Sequence, residues 1–191
     1  FFATCIYGAG FDYERLQYEI FYTPHRLYFT TQSSMITKYL IPLFQKDLDK
    51  LKEEISLYPK DEQLWQIKEG ITNSGGKLLP HLTGNLQHFI GAVLGDSGYV
   101  RNRDAEFRVK NVPRSKLLED IDTTRSVVTD TLEQLSKNDL QKDYLLPVMD
   151  EKMNTGYFLI YLLSHLNYHI GQINYHRRII TGTQGSPEVK S

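Results

Sequence analysis

"FLIYLLSHLNYHIGQINYHRRII", residues 158–180, divides into two seams when it is wound as a helix. Leu159, Leu163, Leu166, Ile170, Ile173 and Ile180 form a heptad-spaced apolar stripe, broken only by Arg177, that packs as a bundle core does. Beside it, with the same three-four spacing, run Phe158, Leu162, His165, His169, Gln172, His176 and Ile179. The middle of this second seam is polar. Each imidazole or amide buried there without a partner costs on the order of 1–3 kcal/mol, so the row needs hydrogen bonds, water or a metal.

Three further helical patterns accompany this one. The first runs from about Ser34 to Tyr58 on Leu40, Phe44, Leu48, Leu51, Ile55 and Tyr58; Pro59 stops it, and Pro42 lies near its start. The second spans about Ser74 to Leu94, closed by Gly95. Its apolar seam is Leu79, Leu82, Leu86, Phe89 and Val93, and His81, Asn85 and His88 run alongside. The third opens at Pro113, whose fixed φ suits a first helical turn, and carries Leu117, Ile121, Val128 and Leu135 on one face. The fourth runs from about Thr155 to Ile180 and closes at Gly182. No hairpin signal interrupts them. Four amphipathic helices with two longer connections predict an all-α four-helix bundle over residues 32–182, in which facing helices build a site in the core.

The ends differ from this domain. Ten of the 23 aromatic residues precede Gln32, without helical or alternating period, and the first methionine is Met35. Residues 1–31 are therefore expected to be an N-terminal extension, either a mis-assigned translation start or an aromatic arm. Residues 183–191, "TQGSPEVKS" with its Gly and Pro, are expected to be a disordered tail. A net charge of −1 with no basic stripe argues against nucleic acid as partner. A single cysteine, Cys5, excludes a disulfide framework and a cysteine zinc site and fits the cytoplasm. No apolar run is long enough to span a membrane.

His165 and His169 lie one turn apart on one face, the spacing by which a helix offers two nitrogens to one cation. A third nitrogen from a facing helix would complete a three-histidine site with open positions, the arrangement of catalytic metals. On spacing alone either His81 or His88 can supply it, and the same residues would also suit a hydrogen-bonded polar core layer. His176 lies about 10.5 Å along the axis from His169, too far to share its coordination sphere, and is expected at the surface or at a second site. His25 falls outside every helical pattern and is expected to be incidental.

Residues 78–107, "LLPHLTGNLQHFIGAVLGDSGYVRNRDAEF", together with residues 158–180, resemble the DinB-like superfamily of metal-binding four-helix bundles, which includes the bacillithiol S-transferases. The resemblance covers about Met35 to Thr181. It implies a bundle of the DinB/YfiT-like type and, matched residue by residue, His81, His165 and His169 as metal ligands, with His88 a variable pocket or surface residue. It implies a divalent cofactor, commonly zinc or nickel, and chemistry that depends on a low-molecular-weight thiol.

A cation lowers the pKa of a bound thiol, so a thiol reaching an open position would become a nucleophile, and the protein itself would need no cysteine. Asn85, one turn beyond His81, and Gln172, three residues past His169, would orient ligands or bound water, or else make hydrogen bonds within the core. Arg101 and Arg103, in a charged connection with Asp104 and Glu106, would recognise a carboxylate on the thiol, or else form a salt-bridge network that ties the connection down. The expected activity is thiol-dependent S-transfer to a small-molecule substrate, with no catalytic side chain assigned. Metal-dependent hydrolysis through bound water and a non-catalytic metal-binding bundle are the alternatives. A homodimer through helix faces is compatible with the pattern, though no seam singles out an interface.

Overall fold

The polar seam of the last helix is met by a second helix running the opposite way, and the connection that leaves this second helix folds back beside it. A computed structural model describes residues 34–147 and 152–183, with the pairs 22–23 and 26–27. The chain divides into two units, Phe1–Gln32 and Ser33–Ser191. In the first, β1 (Tyr22–Thr23) pairs antiparallel with β2 (Arg26–Leu27). The rest of the expected aromatic extension, with His25 and Cys5, lies outside the described residues, as does the tail beyond Thr183.

The described residues of the second unit are helical apart from connections. Helix α1 (Met35–Ser56) starts at Ser34, whose hydroxyl accepts from the Ile36 N–H, and continues through Pro42. A 3-10 turn, Asp61–Trp65, follows. Helix α2 (Gly75–Leu86) passes into a π-helical turn, Gln87–Ala92, and then into the single turn α3 (Val93–Gly95). Two short helices that the periodicity does not signal, α4 (Arg103–Arg108) and α6 (Lys137–Gln141), begin at the caps Asn102 and Ser136. Between them, α5 (Arg114–Gln134) starts directly after Pro113. The last helix, α7 (Thr155–Thr181), is capped by Asn154 and ends at Gly182 with φ 69°, the left-handed region that glycine enters freely. All four long patterns therefore stand within about two residues of their expected limits.

Cross-helix pairs give the helix directions. Asp47 meets Asn167 and Glu54 meets Asn174, so α1 and α7 run parallel. Gln45 meets Thr129 and Lys52 meets Asp122, so α1 and α5 run antiparallel. His81 meets His165 whereas Phe89 meets Phe158, so α2 opposes α7. The bundle is up-down-down-up, and α2 and α7 are neighbours. Since α2 and α5 point the same way, residues 96–113 must return along the length of the bundle, and α4 lies on that return beside α2.

Phe44, Leu48, Leu51 and Ile55 of α1, Leu79 and Leu82 of α2, Leu117 and Leu132 of α5, and Leu159, Leu166 and Ile173 of α7 form the buried core. Two details depart from the simple seams. The π-turn adds a residue to one turn of α2, so Ile90 is fully buried where the three-four spacing selected Phe89, which is half-buried. Gly91 lies in this turn; a Cβ there would come within 2.5 Å of the Val127 side chain on α5. Arg177, the break in the apolar stripe, is buried against Glu54, its Nε 2.9 Å from the carboxylate, and also donates to Thr183. No helix among the described residues is long and apolar enough to cross a membrane.

Candidate metal centre

His81 on α2 and His165 and His169 on α7 converge through their Nε2 atoms. The Nε2 of His165 lies 3.4 Å from that of His81 and 3.1 Å from that of His169. The three rings stand nearly perpendicular to one another, at 76°, 86° and 83°. For metal–nitrogen bonds of about 2.0–2.1 Å, neighbouring ligand atoms sit roughly 2.9–3.4 Å apart in octahedral or tetrahedral geometry. The observed spacings fall in that range. Among the described residues this is the group of histidine, cysteine and carboxylate side chains that could hold a metal ion.

The outer nitrogens decide what the inner ones offer. Glu106 Oε2 lies 3.4 Å from His81 Nδ1 and, ionised, can only accept. Arg101 Nη2, 3.5 Å from the same nitrogen, already donates to that carboxylate at 2.9 Å, so the carboxylate contact places the proton on Nδ1 and leaves a lone pair on Nε2. Gln172 Oε1 stands 2.6 Å from His169 Nδ1 and imposes the same tautomer there. Two lone pairs are thus directed at one point beside the third imidazole, an arrangement that repels itself until a cation or proton enters it. A proton is disfavoured. Burial, then the neighbouring His169, His81 and Arg101, push His165 down to about 4, and burial also lowers His169 against the raising effect of Gln172. Neutral imidazoles are the form that binds metals.

Glu106 is itself pinned. Arg101 donates through Nε to Oε1 at 2.7 Å and through Nη2 to Oε2 at 2.9 Å, a two-point ion pair, while its guanidinium lies over the Phe89 ring. Burial raises the Glu106 pKa, but the bonds from Arg101 and His81 outweigh it and hold the carboxyl below its usual range. Gly84, one turn from His81, makes room: a Cβ there would stand 2.5 Å from Glu106 Oε1. The crossover between α2 and α5 thus delivers a carboxylate to the back of a histidine, the outer support that orients metal-ligating imidazoles. Spacing within a helix holds no signal for this contact. Of the two roles expected for this charged connection, a thiol carboxylate site or a salt-bridge network, Glu106 takes the second, and its role behind His81 has no signal in the sequence.

The other candidate residues fall as follows. Arg101 is engaged by Glu106, the salt-bridge alternative for this connection, and Arg103 is exposed on α4. Asn85 is buried with its Oδ1 lacking a hydrogen-bond partner among the described residues, and Gln172 is exposed at His169. His88 is half-buried in the π-turn and does not join the three histidines. His176 corrects the expectation of a surface or second-site residue. It is 3 % exposed and takes part in hydrogen bonds with the Tyr58 hydroxyl at 2.6 Å and the Gln66 carbonyl at 2.9 Å, because the seam it shares with His169 turns under the loop before α2.

Comparison with known proteins bears on the fold. The family model described as a protein of unknown function, DUF1572, matches residues 35–185. Among solved structures, the crystal structure of the DinB-like protein YjoA from Bacillus subtilis superposes with a TM-score of 0.58 at 18% identity, covering 78% of this chain and 96% of that one. No curated protein gives a significant match. The likeness to YjoA is one of fold, an all-α DinB-like bundle.

Proposed function

The chain belongs to the DUF1572 family, a DinB-like family, and on that premise we propose that it is a metal-dependent thiol S-transferase. His81, His165 and His169 hold one divalent cation, zinc or nickel. The observation that carries this is the convergence of three imidazole Nε2 atoms with the tautomers of two of them set from behind by Glu106 and Gln172. Held by neutral ligands, such a cation keeps its charge and lowers the pKa of a thiol or water that reaches it.

The chain's own residues do the remaining work. Glu106 and Gln172 fix the imidazole rings, and Arg101 keeps Glu106 ionised and in place. Phe107 and Tyr168, each with its ring 5.1 Å from a ligand histidine, flank the site with aromatic surface that favours the apolar part of an electrophilic substrate. Asn85 offers a buried acceptor one turn from His81 to a hydroxyl or amide of the bound small molecule. Arg103, exposed on α4, meets a carboxylate on the thiol. A reduced small thiol is available in the cytoplasm, where a chain with one cysteine is at home.

Elemental analysis and a conjugation assay test this together. His165→Ala and His169→Ala are expected to lower bound metal sharply and to abolish conjugation of bacillithiol to an electrophilic acceptor, as chelation does; His176→Ala retains its metal. Full metal in His169→Ala would overturn the ligand set. Bound metal without thiol conjugation, but with metal-dependent ester or amide hydrolysis, would replace the transferase by a hydrolase; neither activity would leave a non-catalytic metal-binding bundle.

A further inference from the structure

The crossover between α2 and α5 spans a cleft. Its chain turns at both ends through left-handed residues, Asp96 and Gly98 at φ 48° and 72° and Asn111 at φ 56°, and it is pinned between them where Arg101 and His81 meet Glu106. It thus arches over the groove where α2 meets α5 and leaves a cavity of 530 Å³ beneath it. That volume lies within the roughly 300–1,000 Å³ typical of small-molecule sites. None of the three histidines of the candidate metal centre lines it; Glu106, which stands behind His81, is the wall that the two places share.

The lining fixes the chemistry of an occupant. Pro80 of α2, Ala105 and Val109 of the crossover, and Val112 and Leu117 about the start of α5 give the cavity apolar walls. Two carboxylates also line it, and each already has its cation: Arg101 Nε lies 2.7 Å from Glu106, and Lys116 Nζ lies 3.1 Å from Asp120. A charged guest would have to break one of these pairs or leave its own charge unpaired against apolar walls, so a neutral guest is favoured. Tyr99 supplies direction. Its hydroxyl lies against α2, 3.2 Å from where a Cβ on Gly84 would stand. The hydrogen bond that Tyr99 makes among the described residues runs from its backbone N–H to Ser97, which leaves the hydroxyl available. Burial, then Glu106, raise its pKa further than Arg101 lowers it, so the hydroxyl keeps its proton and acts as a donor.

We propose that this cavity is a second small-molecule site, separate from the metal centre, which takes a neutral and mainly apolar molecule whose carbonyl oxygen accepts from the Tyr99 hydroxyl. Such a molecule buries its apolar body under the crossover, and the single polar contact at Tyr99 sets its orientation. Nothing in the lining belongs to the histidine cluster, so the site does not rest on the metal reading.

Prodan, a neutral naphthalene that carries one ketone, is a suitable probe, because its emission moves to the blue on leaving water and further when the ketone loses a hydrogen bond. Titration of the full chain is expected to show one Prodan site per chain with blue-shifted emission. Ala105→Trp and Thr123→Trp place an indole at exposed positions of the lining, where folding does not depend on the native side chain, and each should weaken binding at least tenfold. Tyr99→Phe should weaken it roughly twofold to tenfold, the range of one hydrogen bond, and move the bound emission further to the blue. Anilinonaphthalene sulfonate, similar in size but anionic, should not displace Prodan. Absence of Prodan binding at tens of micromolar overturns the proposal, as does binding that both tryptophan variants leave unweakened, displacement by the sulfonate, or an unchanged emission maximum in Tyr99→Phe.

Discussion

Glu106 shows how much one buried carboxylate can govern. It receives two bonds from Arg101, lies at the back of His81 and occupies the space that Gly84 leaves open. Outer-shell partners of this kind alter metal affinity by about 10–100-fold when they are lost. Glu106→Gln keeps the shape but loses the charge that fixes the His81 tautomer, and it should weaken metal binding within that range, as read by competition with a chromogenic chelator. Gly84→Ala should act in the same direction by displacing the carboxylate, since the added Cβ would stand 2.5 Å from Oε1. Unchanged affinity in both variants would remove Glu106 from the site. His176, one of the three imidazoles on the polar seam of α7, has the opposite character: its nitrogens are taken up by Tyr58 and Gln66, which makes it part of the packing of α7 under the loop before α2.

At the scale of elements, the α1–α7 pair depends on a buried ion pair. Glu54 is fully buried and Arg177 nearly so, and Lys50 and Asn174 also reach the same carboxylate. Removing one member of such a pair strands the other, which costs about 3–5 kcal/mol, whereas replacing both by apolar groups is often neutral. Arg177→Met should therefore lower Tm by much more than the double variant Glu54→Leu, Arg177→Met. Equal losses in thermal melts of the two would show that the pair itself stabilises the fold. The π-turn of α2 is the other element that local patterning misdescribes. One added residue rotates everything beyond it, so Ile90 enters the core and Phe89 turns toward Arg101 and Phe158.

For the whole molecule, the histidines couple folding to pH. His165 is held at about 4 by burial and by His169, His81 and Arg101, and His88, His169 and His176 are lowered as well, chiefly by burial. The unfolded chain takes up protons near the ordinary histidine value of about 6.5, while the folded chain does not until lower pH. The stability that these groups contribute is therefore complete above about pH 6.5 and is lost as pH falls toward 4. Melts of the metal-free chain at pH 7.5, 6.5 and 5.5 should show Tm falling with acidification, steepest in the last interval. A Tm that stays level across the series would show that the folded state admits those protons.

The four long helices were legible in the sequence because each advertises itself locally: an apolar residue every three or four positions, Ser34 or Pro113 at a start, Gly182 at an end. Two members of the histidine cluster were legible for the same reason, since His165 and His169 are one turn apart and the rise of a helix requires them to share a face. Periodicity left His81 and His88 as equal partners for them. The resemblance to DinB-like bundles selected His81, and the physical reason lies in tertiary structure, which sets the depth at which α2 crosses α7 and brings His81 Nε2 to 3.4 Å from His165 while His88 passes into the π-turn. The Arg101–Glu106 support, the burial of His176 and the neutralisation of Arg177 by Glu54 were likewise invisible. Each joins residues whose separation along the chain carries no periodic signal, and each exists only because the up-down-down-up path sends a crossover back along α2 and sets α7 parallel to α1.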